Sequence, residues 1–368
     1  MDSSNILLQT KVKIGVLTFH RAHNYGAVLQ CYALQEVLKS MGHEVEVIDY
    51  RQKFIEQAYS SFRLRGFIAK CIKLQKDVFQ DIFCIKKRKQ RKKRYCDFLT
   101  RYIRTSNPCT IHNVPTSYSV IVVGSDQMWN PVLTGGVDPV YWGFFAKEHT
   151  CQMVGYAVSS NIKQLSLVST DTVKLALSCF KAFSVREADL ADFMNKRYEP
   201  QIHIENVIDP TLLADKEVWH PLINERFRSK RYIVVYQART YKKRPDVLME
   251  KASELGRMMN CEIINLSGNE YSPSDFVSAF RYASFVITTS FHAVAFSLIF
   301  NRPLYAVKLN DGYDSRYVDL LERVNGTEML VDVDFMPQPI EADYTEINKA
   351  LNQFRKNSMD FIRANISE

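Results

Sequence analysis

Twice along its length this chain repeats one rhythm: a short apolar run, a polar cluster, an amphipathic stretch of helical period, then another apolar run. Val12 to Phe19 reads as a buried strand and ends in the polar loop His20 to Tyr25. A helix is predicted from about Gly26, with Val28, Leu29, Leu34, Val37, Leu38 and Met41 on one face. Gly42 stands where a glycine closes a helix, because it takes left-handed backbone without penalty. Val45 to Ile48 is the next strand, closing at Asp49. Strand, helix and strand joined this closely open a parallel, doubly wound sheet.

The stretch from about Phe54 to Tyr102 reads as long helices that interrupt the alternation. Strands resume at Val120 to Val123, Val154 to Val158 and Phe183 to Val185, with Leu165 to Cys179 as one helix between the last two. Val207 and Ile208 lead into Asp209-Pro210-Thr211, a turn-like exit. A second alternation follows: strands at Tyr232 to Tyr236, Glu262 to Leu266, Phe285 to Thr288 and Leu304 to Val307, with helices from Pro245, Pro273 and Phe291. Tyr344 to Ile366 is a closing helix. At 368 residues the chain is too long for one ordinary core and suits two. The expected fold is therefore α/β, two doubly wound Rossmann-like domains with a cleft between them. The boundary is expected between about 205 and 230: residues 1–215 with a helical insertion at about 54–104, residues 216–340, and the closing helix at 341–368.

Met1 to Lys11 lacks the apolar core of a signal peptide, and nowhere do about 18 apolar residues run together. The 8 cysteines form no Cys-x-x-Cys pair and no cluster with histidine at metal-ligand spacing. The expectation is a soluble cytoplasmic protein with reduced thiols and no metal. Its net charge of +8 is concentrated at Lys86, Lys87, Arg88, Lys89, Arg91, Lys92, Lys93 and Arg94. Flanking apolar residues at helical spacing leave two readings: a solvated helical face, or an interfacial helix held by anionic lipid headgroups. Nucleic acid is not expected, because no motif for it accompanies the run.

Sites in such folds lie at the carboxyl ends of strands. The first exit, His20 to Ala27, has no G-x-G-x-x-G and so no dinucleotide fingerprint. Its His23, Asn24 and Tyr25 suit a sugar or a phosphate, or form a helix cap with surface polar residues. The second, Gly124 to Asn130, places Asp126, Gln127 and Trp129 together, a mixture suited to carbohydrate, with Asp126 available as a base. The alternative there is a capping aspartate beside a core tryptophan. Arg186 and Glu187 end a third strand, as a site or as a plain ion pair. In the second half, Arg239 follows one strand, Ser290 and His292 end another, and Arg316 offers a further guanidinium for an anion.

Five of these strings occur in a fixed order: Asn24 to Gln30, Gly124 to Asn130, Ser184-Val185-Arg186-Glu187, Asp209 to Leu213, and Ser290 to Ser297. Together, over roughly residues 13 to 320, they resemble the polysaccharide pyruvyl transferase family. The resemblance implies a GT-B-like fold, with the acceptor on the N-terminal side and the donor on the C-terminal side. It implies phosphoenolpyruvate as donor, held by Arg186 and His292, and a cyclic pyruvate ketal on a hexose as product. Where the family motif has arginine two residues before that histidine, this chain has Ser290, so Arg239 or Arg316 is expected to supply the missing cation. No other cofactor is implied.

Ketal formation asks for an acid and a base. Expected roles are His292 on the phosphate, and Asp126 or Glu187 activating a hydroxyl. His23, Asn24, Tyr25, Gln127 and Trp129 are expected to hold the acceptor. That acceptor is expected to be a surface-glycan sugar on a polyprenyl-diphosphate carrier, met at the inner face of the cytoplasmic membrane through the basic segment. Two other readings stand beside this one: a glycosyltransferase using a nucleotide-sugar donor, and a non-catalytic basic scaffold at the membrane.

Overall fold

A computed structural model describes residues 11–59, 78–148, 150–268 and 270–366. The expectations for 1–10 and 60–77 lie outside the described residues. The first sheet is formed by β1 (Lys13–Leu17), β2 (Glu44–Val47), β3 (Val120–Val123), β4 (Gln152–Val158), β5 (Ala182–Val185) and β6 (Ile204–Asn206). All of its pairs are parallel, in the order β2-β1-β3-β4-β5-β6. The second is formed by β7 (Tyr232–Tyr236), β8 (Glu262–Asn265), β9 (Phe285–Thr288), β10 (Leu304–Lys308) and β11 (Leu330–Asp332). It is likewise parallel, in the order β11-β10-β9-β7-β8. In each sheet the first strand is flanked by its second and third, so chain progression reverses there and a crevice opens at the carboxyl ends. Those two switch points, β1/β3 and β7/β9, face one cleft. Two Rossmann-like domains opposed in this way make the fold GT-B-like.

The helices of the first half are α1 (Tyr25–Ser40), α2 (Lys53–Ala58), α3 (Val78–Tyr102), α4 (Pro131–Thr134), α5 (Ile162–Leu165), α6 (Thr170–Leu177), α7 (Ala188–Tyr198) and α8 (Pro210–Leu213). Those of the second are α9 (Val247–Met259), α10 (Pro273–Tyr282), α11 (Phe291–Ile299), α12 (Ser315–Arg323) and α13 (Tyr344–Asn365). Gly42 takes φ 90 just past α1, as its position in the sequence requires. The single helix expected over Leu165 to Cys179 is instead two, because the Ser169 hydroxyl accepts from Thr172 N–H and starts a new one. The turn expected at Asp209 is the cap of α8, with Oδ1 accepting from the Thr211 amide and hydroxyl.

One continuous apolar core runs through both domains, from Val28, Leu34 and Trp219 to Phe276, Val294 and Phe296. The helix α1 packs on α8 and α10, and α8 packs in turn on α11 and α13. At the seam the Tyr25 ring stacks on Phe276, with centroids 4.5 Å apart, while its hydroxyl donates to Tyr271 O at 3.0 Å. The closing helix starts on the second domain, where the Tyr344 hydroxyl donates to Arg302 O. It ends on the first, where Ser358 Oγ accepts from Ile208 N at 2.8 Å. The domains are therefore joined by packing as well as by the chain.

Phe276 is fully buried among Tyr25, Tyr236, Phe280 and Phe296. Replacing it by alanine is expected to cost about 3–5 kcal/mol. Because the core is shared, urea unfolding should remain one transition, with tryptophan fluorescence and far-ultraviolet circular dichroism shifting together; two separated transitions in Phe276→Ala would contradict a common core.

Candidate active site

Each wall of the cleft is a set of strand exits held by its own hydrogen bonds. After β1, the His20 ring is fixed between Thr18 O and Asp49 Oδ1, at 3.1 and 3.0 Å. Asn24 then caps α1 by accepting from Ala27 N–H. Gly26 sits in the first turn with the His292 imidazole against it: a Cβ there would lie 2.0 Å from Nδ1. Only glycine lets the two domains meet at that point. After β3, Asp126 has φ 85, a left-handed conformation that a side-chain-bearing residue holds only under constraint. Its carbonyl accepts from Ser159 N–H and its Oδ1 from Gln127 N–H, which directs the carboxylate toward the cleft. Opposite, Thr288 and Thr289 donate to Tyr236 O and Arg239 O, locking the exits of β7 and β9 together.

Beneath the cleft lies a buried charge cluster. The Arg186 side chain is 1% exposed, donates to Asp209 Oδ2 at 2.8 Å and Glu187 Oε1 at 3.2 Å, and lies 3.6 Å from Asp126 Oδ1. The Phe291 ring covers its guanidinium at 5.0 Å. Burial alone would discourage its charge, but Glu187, Asp209 and Asp126 outweigh that and raise its pKa further. Burial likewise pushes Asp209 up, and Arg186, His292 and the Thr211 bonds more than reverse it. For Glu187 burial wins, and its carboxyl is raised. Its Oε1 accepts from Ser159 Oγ at 2.6 Å, while Oε2 is buried without a partner among the described residues.

His292 stands in the first turn of α11, 12% exposed, with Nε2 3.9 Å from Asp209 Oδ2 and without a hydrogen-bond partner among the described residues. Burial pushes its pKa down to about 4; Asp209 opposes this and Arg186 adds to it. The ring is neutral at pH 7 in the ligand-free protein. Ser290 caps α11 with no side-chain bond, so the first-turn N–H groups stay open toward the cleft. The helix α12 also begins without a side-chain cap. Its Arg316 lines the cleft and forms no ion pair or hydrogen bond among the described residues, and burial next to Arg186 lowers its pKa. Arg239 differs: it is tied to Asp311 and, at 2.7 Å, to Asp314.

The cleft has a volume of about 340 Å³. It brings together the expected Asn24, Asp126, Gln127, Arg239, Ser290, His292 and Arg316. The other expected residues lie off the cleft lining. Arg186 and Glu187 do not line the cleft; they are the buried ion pair under it. Trp129 is core, stacked on Trp142 at 4.4 Å with Nε1 donating to Tyr141 O, so no sugar reaches its face. Tyr25 is spent on the domain seam. His23 lies behind its loop between Tyr59 and Tyr95, with ring centroids at 5.3 and 5.4 Å. Two groups escaped the sequence. Phe54 and Tyr59 line the cleft from α2 and its end, but read in sequence as part of a helical insertion. Asp209, which stands between Arg186 and His292, belongs to the string Asp209 to Leu213 already singled out in the sequence, where no site role was given to it.

The sequence model of a family described as polysaccharide pyruvyl transferase matches residues 24–311. A search of curated proteins finds no match. Among solved structures, the chain is similar to UDP-N-acetylglucosamine 2-epimerase from Rickettsia bellii, with 8% identity, TM-score 0.47, and 97% of this chain and 99% of that one covered. It is similar to the Methanocaldococcus jannaschii UDP-GlcNAc 2-epimerase at 12% identity and TM-score 0.45, covering 96% and 99% of the two chains. For the glycosyltransferase SnogD from Streptomyces nogalater the identity is 10% and the TM-score 0.38, with 95% of each chain covered.

Gly26→Ala is expected to push the His292 ring out of the cleft, since its methyl would stand 2.0 Å from Nδ1. Whatever activity the site supports should fall at least a hundredfold, the scale on which a displacement of about 1 Å costs a positioned group. Steady-state kinetics together with a circular-dichroism melt check this, and near-normal turnover in a folded variant would refute the contact's importance.

Proposed function

Because the chain belongs to the polysaccharide pyruvyl transferase family, we propose that it moves pyruvate from phosphoenolpyruvate onto two hydroxyls of a hexose, forming a cyclic ketal and releasing phosphate. The carrying observation is a set of groups on one wall without hydrogen-bond partners among the described residues: the Arg316 guanidinium, His292 Nε2 and the open N-terminus of α11. A donor with a carboxylate and a phosphate needs such a set, and cations already paired cannot supply it cheaply. Of the two arginines expected to stand in for the one absent at Ser290, Arg316 is free and Arg239 is committed to Asp311 and Asp314. Arg316 takes the donor's anionic groups, and Arg239 holds the wall in place. Arg186 acts from below, by fixing Asp126 and Asp209.

The chemistry then proceeds with balanced protons. The methylene carbon of the enol gains a proton, one sugar hydroxyl adds to the adjacent carbon, phosphate leaves, and the second hydroxyl closes the ring. Of the two hydroxyl protons released, one ends on the methyl and the other on phosphate. Asp126, 16% exposed and facing the cleft, is the base. A dianionic phosphate beside Nε2 favours the imidazolium, so donor binding converts His292 from a neutral ring into an acid.

The acceptor sugar is carried on a polyprenyl diphosphate at the inner face of the cytoplasmic membrane, as part of a capsular or other surface polysaccharide, with α3 as the peripheral contact. Lys86, Arg88, Lys89, Lys92 and Lys93 are exposed there and form no ion pair among the described residues. Nearby Arg91 donates to His23 O, which links this helix to the loop at the cleft. Each cation near an anionic surface is worth about 1 kcal/mol. No described helix is long and apolar enough to cross a membrane.

Calorimetric titration is expected to show phosphoenolpyruvate binding and none by UDP, with binding lost in Arg316→Ala. Near pH 7 the binding should take up a proton, seen as a heat that depends on the buffer, and His292→Asn should abolish that uptake. Binding of UDP alone would favour a nucleotide-sugar enzyme. Vesicles containing anionic lipid should retain the wild-type chain and release a Lys89→Glu, Lys92→Glu, Lys93→Glu variant; equal retention would remove the membrane contact.

A further inference from the structure

Asp314 stands at the N-cap position of α12, where an aspartate ordinarily has extended backbone and accepts from an N–H two or three residues on. It does neither. Its backbone is helical, at φ −77 and ψ −24, and its side chain makes no cap bond. Both oxygens are engaged elsewhere: Oδ1 accepts from Arg239 Nη2 at 2.7 Å and from the Tyr317 hydroxyl at 2.5 Å, and Oδ2 accepts from Asn310 N–H at 2.6 Å. Burial opposes the charge of this carboxyl, but the bonds from Tyr317, Arg239 and Asn310 more than reverse that and lower its pKa. An ionised carboxylate is thus fixed just before Arg316 in the chain, and among the described residues the two form no ion pair.

The groups that hold it are themselves anchored. Arg239 is fixed at the exit of β7, where its carbonyl accepts from Thr289 Oγ1 at 2.8 Å, and its guanidinium also pairs with Asp311 and lies 5.7 Å from the centre of the Tyr313 ring. The buried Tyr317 hydroxyl reaches Val307 O in β10 at 2.8 Å. A carboxylate released from these bonds has a ready alternative. It can cap the first turn of its own helix, where the exposed N–H groups and the helix dipole favour an anion. Arg316 belongs to that turn, so the cap would set a negative charge against the guanidinium that lines the cleft.

We infer that Asp314 is a positioning residue: Arg239 and Tyr317 hold its carboxylate off the first turn of α12, and that hold keeps Arg316 available to a phosphate or carboxylate in the cleft. This deepens the pyruvyl-transfer reading and rests on it only in taking Arg316 as the ligand of the anion. Arg239 then serves anion binding without touching the anion, by occupying the carboxylate that would compete for its neighbour.

Calorimetric titration of the full chain with inorganic phosphate and with phosphoenolpyruvate tests this, with a circular-dichroism melt of each variant. Arg239→Ala should weaken both ligands about tenfold, the order of one charge-assisted hydrogen bond. Adding Asp314→Ala should recover most of that loss, because the competing carboxylate is gone; adding Asp311→Ala instead should not. Tyr317→Phe, which keeps the ring, should weaken phosphate in the same direction and by less. If Arg239→Ala does not fold, Tyr317→Phe with and without Asp314→Ala repeats the comparison. An Arg239 that itself grips the anion would leave nothing to recover, and one that merely props the wall would lose more affinity in the double variant. Either result overturns the inference, as would equal recovery from Asp311→Ala. A wild-type chain that binds phosphate but not phosphoenolpyruvate would sink the transfer reading, while the recovery seen with phosphate would still decide the role of Asp314. Binding of neither ligand would overturn Arg316 as the anion's ligand, and the inference with it.

Discussion

A single guanidinium organises the centre of this protein. Arg186 leaves β5, passes under the cleft, and bonds Asp209 and Glu187 while lying within 3.6 Å of Asp126. Those carboxylates come from the exits of β3 and β5 and from the cap of α8, so one side chain fixes three segments distant in sequence. A buried charge of this kind is tolerated only with partners of good geometry. Removing any carboxylate would leave the rest misaligned, because the group cannot be neutralised at accessible pH.

The cluster also decides which cations are available. Three carboxylates surround Arg186, and their excess negative charge reaches His292 and Arg316, both of which feel it. Asp209 stands between the two domains in this respect: it pairs with Arg186 on its own side and lies 3.9 Å from His292 on the other. Arg239 is balanced separately by Asp311 and Asp314. Among the described residues, Arg316 and the N-terminus of α11 remain unpaired on the cleft wall.

Contact between the domains sets the precision of this arrangement. The shared core around Phe276 and the close approach of Gly26 to His292 hold the His292 imidazole against a helix of the opposite domain. At the rim of the cleft α2 and α4 present Phe54 and Leu133 to solvent.

Much of this was legible in the sequence. Hydrophobic periodicity fixes where strands and helices alternate, and the residue that ends each apolar run is by geometry a residue at a strand's carboxyl end; Asp126, Arg239 and His292 could be found that way. The left-handed glycine at Gly42 and the proline that opens α10 are equally local. Burial and charge pairing are not local. Trp129 follows Asp126 by three residues, yet one faces Trp142 in the core and the other faces the cleft. Arg186 and Arg316 look alike in sequence, and only the fold gives the first three carboxylates and leaves the second without an ion pair among the described residues. The sequence determined the elements and the set of candidate side chains, because both depend on neighbours within a few residues. Tertiary structure decided which of those candidates are free to bind, because that depends on charges brought together from opposite ends of the chain.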